Sequence, residues 1–364
     1  MVLPAGDLRF CLSEAFSTVP ERPSGVPAPP IREGRGRPRP AYAALDLGTN
    51  NCRLLVARPT SDGFRVIDAF SRIVRLGEGL STTGRLSAAA IQRTMDALRV
   101  CRDKMNARGV TRARTIATEA CRSAANGAEF VQEVREKIGI ELEIVDRETE
   151  AHLAAAGVGD LADRDAHSTV MFDIGGGSSE IIWLGDARLG RSARVQAWES
   201  LRLGVVSLAE TFGGVDVDDD TFGRMQAHVS EALAPFIAKV ADKTRCARFH
   251  LLGTSGTVTT IAGVHLNLPR YDRRAVDGLW LRRAEVDEAV ARLRAMSYAE
   301  RAGNACIGHE RADLVLAGCA ILEAIRAHFP AERLRIADRG LREGILSQMM
   351  REDAVGPHQR PHWR

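Results

Sequence analysis

Two short runs constrain this chain more than any other part of it: Leu45-Asp46-Leu47-Gly48-Thr49-Asn50-Asn51 and Phe172-Asp173-Ile174-Gly175-Gly176-Gly177-Ser178-Ser179. In each, an apolar run (AYAALDL, then STVMFDI) ends on an aspartate, turns through small residues, and leaves as a second β-rich run (RLLVARP, then EIIWLGD). Two such runs joined by a tight polar turn read as a β-hairpin. A third strand-like run follows each hairpin, FRVIDAF in the first half and VQAWESLRL in the second. Alternating helices and strands come next. From Ser87 to Asn106, apolar residues recur at the 3.6-residue period, with Ser87 as a natural N-cap. AEFVQEVREKIG, TVTTIAGVHL and GLREGILSQMM read as further helices, and RTIATEA, LEIVD, RFHLLG and LRIAD as strands. The expectation is an α/β protein of two tandem halves, related by internal duplication. The first spans 41–154 and the second 155–353.

Composition bounds the partners. The chain has 364 residues, 50 basic against 47 acidic side chains, and a net charge of +3. The excess lies in the ends, because residues 41–353 hold 42 basic and 43 acidic side chains. A near-neutral middle excludes bulk electrostatic binding of nucleic acid, which needs a basic face or groove. No apolar run approaches the ~20 residues that span a bilayer. The opening MVLPAGDLRF lacks the pattern of a secretory signal. Seven scattered cysteines without a CxxC pair read as reduced thiols of a cytoplasmic protein. Residues 17–40 hold seven of the 14 prolines, so 1–40 is expected to be a disordered Pro/Arg-rich leader and 354–364 a flexible tail.

The turns carry the chemistry. Gly48, Thr49 and Asn50 in the first, and Gly175, Gly176, Gly177, Ser178 and Ser179 in the second, offer backbone N–H groups and hydroxyls that can converge on an oxyanion. A third loop, Gly253-Thr254-Ser255-Gly256-Thr257, runs into a helix N-terminus, where free N–H groups and the dipole favour phosphate. Asp46 and Asp173 are hard-oxygen ligands suited to Mg²⁺ or another divalent cation, and by strand alternation Glu180 can point to the same ion. A water-activating base is sought in Arg147-Glu148-Thr149-Glu150, where the residues alone do not separate Glu148 from Glu150. No GxxxxGK[ST], GxGxxG or HExxH pattern is present, so an ordinary P-loop, a dinucleotide fold and a zinc-protease helix are not supported.

LDLGTNNCRLLV and FDIGGGSSEIIWL together resemble the two phosphate motifs of the actin, Hsp70 and sugar-kinase superfamily. Within it, the series ATEACRSAANGAEF, ETEAHLA, DIGGGSSE, LGTSGTVTTIAG and IADRGLREGIL is similar to the exopolyphosphatase/guanosine pentaphosphate phosphohydrolase family. That resemblance, from about Ala41 to Met350, implies two ribonuclease-H-like (actin-like ATPase) domains facing each other across a cleft that holds phosphate and a divalent metal. It implies Glu150 as the catalytic base, and Arg53 and Arg122 as phosphate ligands, with Arg72 and Arg75 as weaker candidates. The family often has Arg two residues after this glutamate, where this chain has His152. The implied activity is metal-dependent release of the terminal phosphate of inorganic polyphosphate; the alternative substrate is guanosine pentaphosphate. A sugar or acid kinase and a nucleotide-switched scaffold are the competing classes, and a homodimer is one expected state. Long-chain polyphosphate binders of the family often carry a further C-terminal helical domain, and this chain ends soon after GLREGIL.

Overall fold

The computed structural model describes residues 40–163, 165–185, 195–246 and 248–355. The expected leader and tail lie almost wholly outside these residues. Among the described residues, eleven strands form two sheets. The first contains β1 (Ala41–Leu47), β2 (Asn51–Thr60), β3 (Gly63–Ile73), β4 (Val110–Ala117) and β5 (Glu143–Ile144), ordered β3-β2-β1-β4-β5. The second contains β6 (Ser168–Ile174), β7 (Ser179–Leu184), β8 (Val195–Leu201), β9 (Phe249–Thr254), β10 (Trp280–Arg282) and β11 (Arg333–Ala337), ordered β10-β11-β9-β6-β7-β8. Taken from β8, the second sheet repeats the order of the first, and β10 adds one antiparallel edge strand. Three residues are too few for β10 to show a periodic signal in sequence.

The repetition extends to single hydrogen bonds. Gly48 N–H donates to the Asn51 carbonyl at 2.9 Å, and Gly175 N–H to that of Ser178 at 3.0 Å. Asp46 faces Arg53 across the first hairpin, and Asp173 faces Glu180 across the second. After its third strand each half runs back beneath its own turn. Val74 and Arg75 donate backbone N–H to Asn50 O, while Val205 and Val206 donate to Gly175 O and Gly176 O.

Each central strand is buried on both faces, as its unbroken apolar run implies. On one face of β1, Ala43, Leu45 and Leu47 pack with Leu98 of the Ser87-capped helix and with Phe130 and Val134. On the other, Tyr42 and Ala44 meet Leu153 of the linking helix, Arg147–Val158, and Ile345 and Leu346 of the closing helix, Leu341–Val355. The last helix of the chain thus packs on the first sheet. Tyr42 Oη donates to Asp353 at 2.7 Å, and Arg112 pairs with Glu352 and Asp353.

Linking and closing helices cross backbone to backbone. A Cβ on Gly157 would lie 1.9 Å from Gly340 O, and one on Gly344 would lie 1.9 Å from Leu153 O. Only glycine permits this approach, and it sets the depth at which both helices present their first turns to the cleft. Among the described residues, no helix is long and apolar enough to cross a membrane. Gly344→Ala is expected to cost about 3 kcal/mol through forced separation of the helices. Urea denaturation measures this, and a loss below about 0.5 kcal/mol would show that the crossing gives way easily.

Candidate active site

The two Asp turns touch. A Cβ on Gly176 would lie 3.1 Å from both Asn50 Cβ and Asn50 N, and one on Gly177 would lie 2.6 Å from Thr49 Oγ1. Glycine is required here because the opposing turn occupies the space a side chain would take. Gly48, Thr49 and Asn50 therefore face Gly175, Gly176, Gly177, Ser178 and Ser179 at one place. The third loop joins them, because Thr254 pairs with Asp173 in the parallel β6–β9 ladder. Its hydroxyls are already engaged: Thr254 Oγ1 donates to Arg339 O and Ser255 Oγ to Ile174 O, both at 2.6 Å. Ser255 takes φ 87°, an unusual value for a residue with a side chain. Thr257 is buried against Gly318. The Thr254 and Ser255 hydroxyls are thus taken up within the protein, while the loop's backbone N–H groups lie at the start of the helix Gly256–His265.

The structure separates the two glutamates that the residues alone left open. Asp146 caps the linking helix by accepting from Thr149 N at 2.7 Å. One turn in, Glu148 is exposed and Glu150 is buried. Arg122 Nη2 donates to Glu150 Oε2 at 3.1 Å and to Glu119 Oε2 at 2.7 Å, while Nη1 donates to Val145 O at 2.6 Å. Glu119 also accepts from Arg147 and Ser123. Burial alone would raise the Glu119 carboxyl, but Ser123, Arg122 and Arg147 together hold it below its usual range. Arg122, expected on phosphate, is engaged here by protein acceptors, Glu150 among them. His152 is exposed, its Nδ1 2.8 Å from Glu148 O.

Four carboxylates share this desolvated place. Burial, and then the Glu180 charge, push Glu150 well above the ordinary range against the pull of Arg122. Burial, and then Asp173, push Glu180 up to about 7, although Ser200 Oγ donates to it at 2.9 Å. Asp173 rises to about 6 through burial and the Asp46 charge, opposed by Arg53 and Arg342. Asp46 is raised by burial against the same two arginines. Such shifts mark negative charge that the protein's own cations do not balance.

That imbalance is what a divalent cation would correct. Among the described residues, no group of three or more His, Cys, Asp or Glu is arranged to hold a metal by itself. The expected set of Asp46, Asp173 and Glu180 is therefore not closed by protein alone, since Glu180 is turned to Ser200. Two carboxylates, water and substrate oxygens are a usual Mg²⁺ environment, so Asp46 and Asp173 fit the ion. Asn50 Oδ1, a buried acceptor in the first turn, has no hydrogen-bond partner among the described residues and is available to bound water.

One cation of the site carries no sequence signal of its own among so many arginines. Arg342, in the first turn of the closing helix, makes no hydrogen bond or ion pair among the described residues, although its charge acts on Asp46, Asp173 and Asp338. Burial lowers its affinity for the proton. Its neighbours are occupied: Arg339 pairs with Asp277 and Asp160, and Arg273 with Glu343 and Asp338. Gly340, two residues earlier, would bring a Cβ within 4.0 Å of Asp173 Oδ2. Arg75, a weaker phosphate candidate in sequence, instead grips Asp313 with two hydrogen bonds of 3.0 and 3.1 Å.

Residues 55–353 match the Ppx/GppA phosphatase family. The chain is 28% identical over 309 residues to a guanosine-5'-triphosphate,3'-diphosphate pyrophosphatase of Aeromonas hydrophila, covering 84% of this chain and 59% of that one. It thus spans about three-fifths of the length of such curated relatives. Among solved structures, the Aquifex aeolicus Ppx/GppA family member is similar at TM-score 0.71 and 26% identity, covering 88% of this chain and 99% of that chain. A Cytophaga hutchinsonii exopolyphosphatase shares the fold at TM-score 0.78 and 24% identity, over 86% and 98% of the two chains. The architecture is accordingly the two-domain, actin-like one implied by the sequence. Arg342→Met is expected to leave the unfolding free energy within about 1 kcal/mol of the wild type, because the desolvation cost that it relieves is offset by the lost attraction for Asp46 and Asp173. Urea denaturation checks this; a loss well beyond that would show that the packing around Arg342 depends on its guanidinium.

Proposed function

Because this chain belongs to the Ppx/GppA phosphatase family, we propose that it is a phosphoanhydride hydrolase releasing the terminal phosphate of inorganic polyphosphate. The observation that carries the reading is the buried Glu150, held by Arg122 beside two contacting, donor-rich Asp turns. Glu150 Oε1 is free of the Arg122 contact and accepts the proton of the attacking water. Its raised proton affinity brings it toward the range a general base needs at neutral pH. Backbone N–H groups of the Gly48–Asn50 and Gly175–Ser179 turns orient the transferred phosphoryl group. Arg53 and Arg342 face the phosphoryl oxygens, where guanidinium charge offsets the charge that develops. A divalent cation carried by Asp46 and Asp173, with Glu180 beside them, supplies further neutralisation of the phosphate oxygens.

A second reading applies the same site to guanosine pentaphosphate, and the Aeromonas hydrophila relative's name favours it. Both substrates end in a phosphoanhydride, so one machinery serves either. Cys52, Cys101, Cys121, Cys306 and Cys319 are unpaired, which supports a reducing, cytoplasmic setting. A homodimer belongs to this proposal as an expectation.

Phosphate release with Mg²⁺ from polyphosphate and from guanosine pentaphosphate, measured side by side, ranks the two substrates. Glu150→Gln is expected to lower either rate at least a thousandfold with the fold retained by circular dichroism. Rates within threefold of the wild type would remove Glu150 from the chemistry.

A further inference from the structure

The open edge of the first sheet carries a row of arginines that the catalytic site does not use. β3 is the outer strand of that sheet. Its pairing with β2 places Arg72 opposite Cys52, Phe70 opposite Leu54, Asp68 opposite Val56 and, after a bulge, Arg65 opposite Arg58. Alternate residues of β2 share a face, so their partners Arg72, Phe70, Asp68 and Arg65 share it too. The row runs roughly 23 Å along the strand.

Its charge is not balanced among the described residues. Arg58 and Arg65 are directly opposed across the hairpin, an arrangement that is destabilising unless an anion lies between or beside them. Among the described residues neither makes a hydrogen bond or an ion pair, and Arg58 Nε is buried without an acceptor. Both line an open cavity of about 300 Å³ with Pro59 and Thr60. Asp68, the acid of the row, is over-matched by Lys104 and Arg108, each 2.8 Å away. Arg72 stacks on Phe70, its guanidinium carbon 5.2 Å from the ring centre, and makes no ion pair among the described residues. Beyond Ile73 the chain passes directly to Val74 and Arg75, whose N–H groups hold Asn50 of the first phosphate turn. The basic row therefore begins where the catalytic turn is anchored and ends at a cavity holding an orphaned guanidinium nitrogen.

We propose that Arg72, Arg65 and Arg58 form a track along β3 that binds the distal part of a long phosphate chain whose end is in the cleft. This rests on the polyphosphate reading of the site, and it names chain length as the property the track reads. A row of separated guanidiniums with one aromatic and no base-sized stacking platform suits a repeating oxyanion. An extended chain of phosphates offers equivalent oxygens at every step, so its contacts need no fixed register.

The test compares steady-state KM for long-chain polyphosphate and for tripolyphosphate in the wild type, R58Q/R65Q and R58K/R65K. In R58Q/R65Q the long-chain KM is expected to rise about tenfold relative to the tripolyphosphate KM, and R58K/R65K to recover part of that ratio. A ratio within twofold of the wild type overturns the track. Should the protein release no phosphate from any polyphosphate, the proposed substrate fails separately, and binding alone then decides the track. Labelled long-chain polyphosphate would bind wild type with an affinity and salt dependence that both drop in R58Q/R65Q; equal curves would end the proposal. Single-stranded DNA competing as well as polyphosphate would overturn the phosphate-chain assignment in favour of general polyanion binding. Circular dichroism of each variant confirms that the hairpin remains folded.

Discussion

Everything at the catalytic end follows from bringing four carboxylates together out of water. Burial raises the proton affinity of Glu150, Glu180, Asp173 and Asp46, and to this Glu180 and Asp46 add at Glu150, Asp173 at Glu180 and Asp46 at Asp173. A fold left to optimise stability would not build such a cluster. Close backbone approaches hold the elements that carry it. The two Asp turns meet at Gly176 and Gly177, and the linking and closing helices cross at Gly157 and Gly344. Strain of this kind is characteristic of sites that wait for a cation and a polyanion.

The internal duplication explains how one architecture yields an asymmetric cleft. Both halves use the same strand order, the same turn hydrogen bond, and the same return of the chain beneath the turn. Divergence lies in what faces each aspartate across its hairpin: Arg53 in the first half and Glu180 in the second. One substitution pattern thus gives the first turn a cation and gives the second an acid whose charge acts on Glu150. The closing helix adds Arg342, and because it packs on the first sheet while following the second in sequence, it ties the halves together.

Much of this was readable in the chain, for identifiable reasons. Strands such as AYAALDL and STVMFDI are long apolar runs with sharp polar ends, so their place and the Asp turns between them are locally encoded. The Ser87 cap was likewise local, and its side chain does accept from Ala90 N at 3.2 Å. What escaped depends on contacts between distant segments. Arg122 and Arg75 read as phosphate ligands in sequence, and only the structure shows that Arg122 also holds Glu119, Glu150 and Val145 O and that Arg75 holds Asp313. Arg342 is one arginine among many until its lack of partners is visible. Glu148 and Glu150 differ only in which side of the helix meets the cleft, and a single helix turn near a cap has no periodicity to tell them apart. The closing helix's return to the first sheet is topological, and no local residue pattern announces it.

The most direct measurement is the thermal midpoint of wild type and Asp46→Asn/Asp173→Asn across a Mg²⁺ titration. If the carboxylate cluster is an uncompensated cation site, the wild type will gain several degrees with Mg²⁺. The double variant will start higher and not respond, since repulsion and ligand are removed together. An unchanged wild-type midpoint, or equal gains in both proteins, would contradict the account.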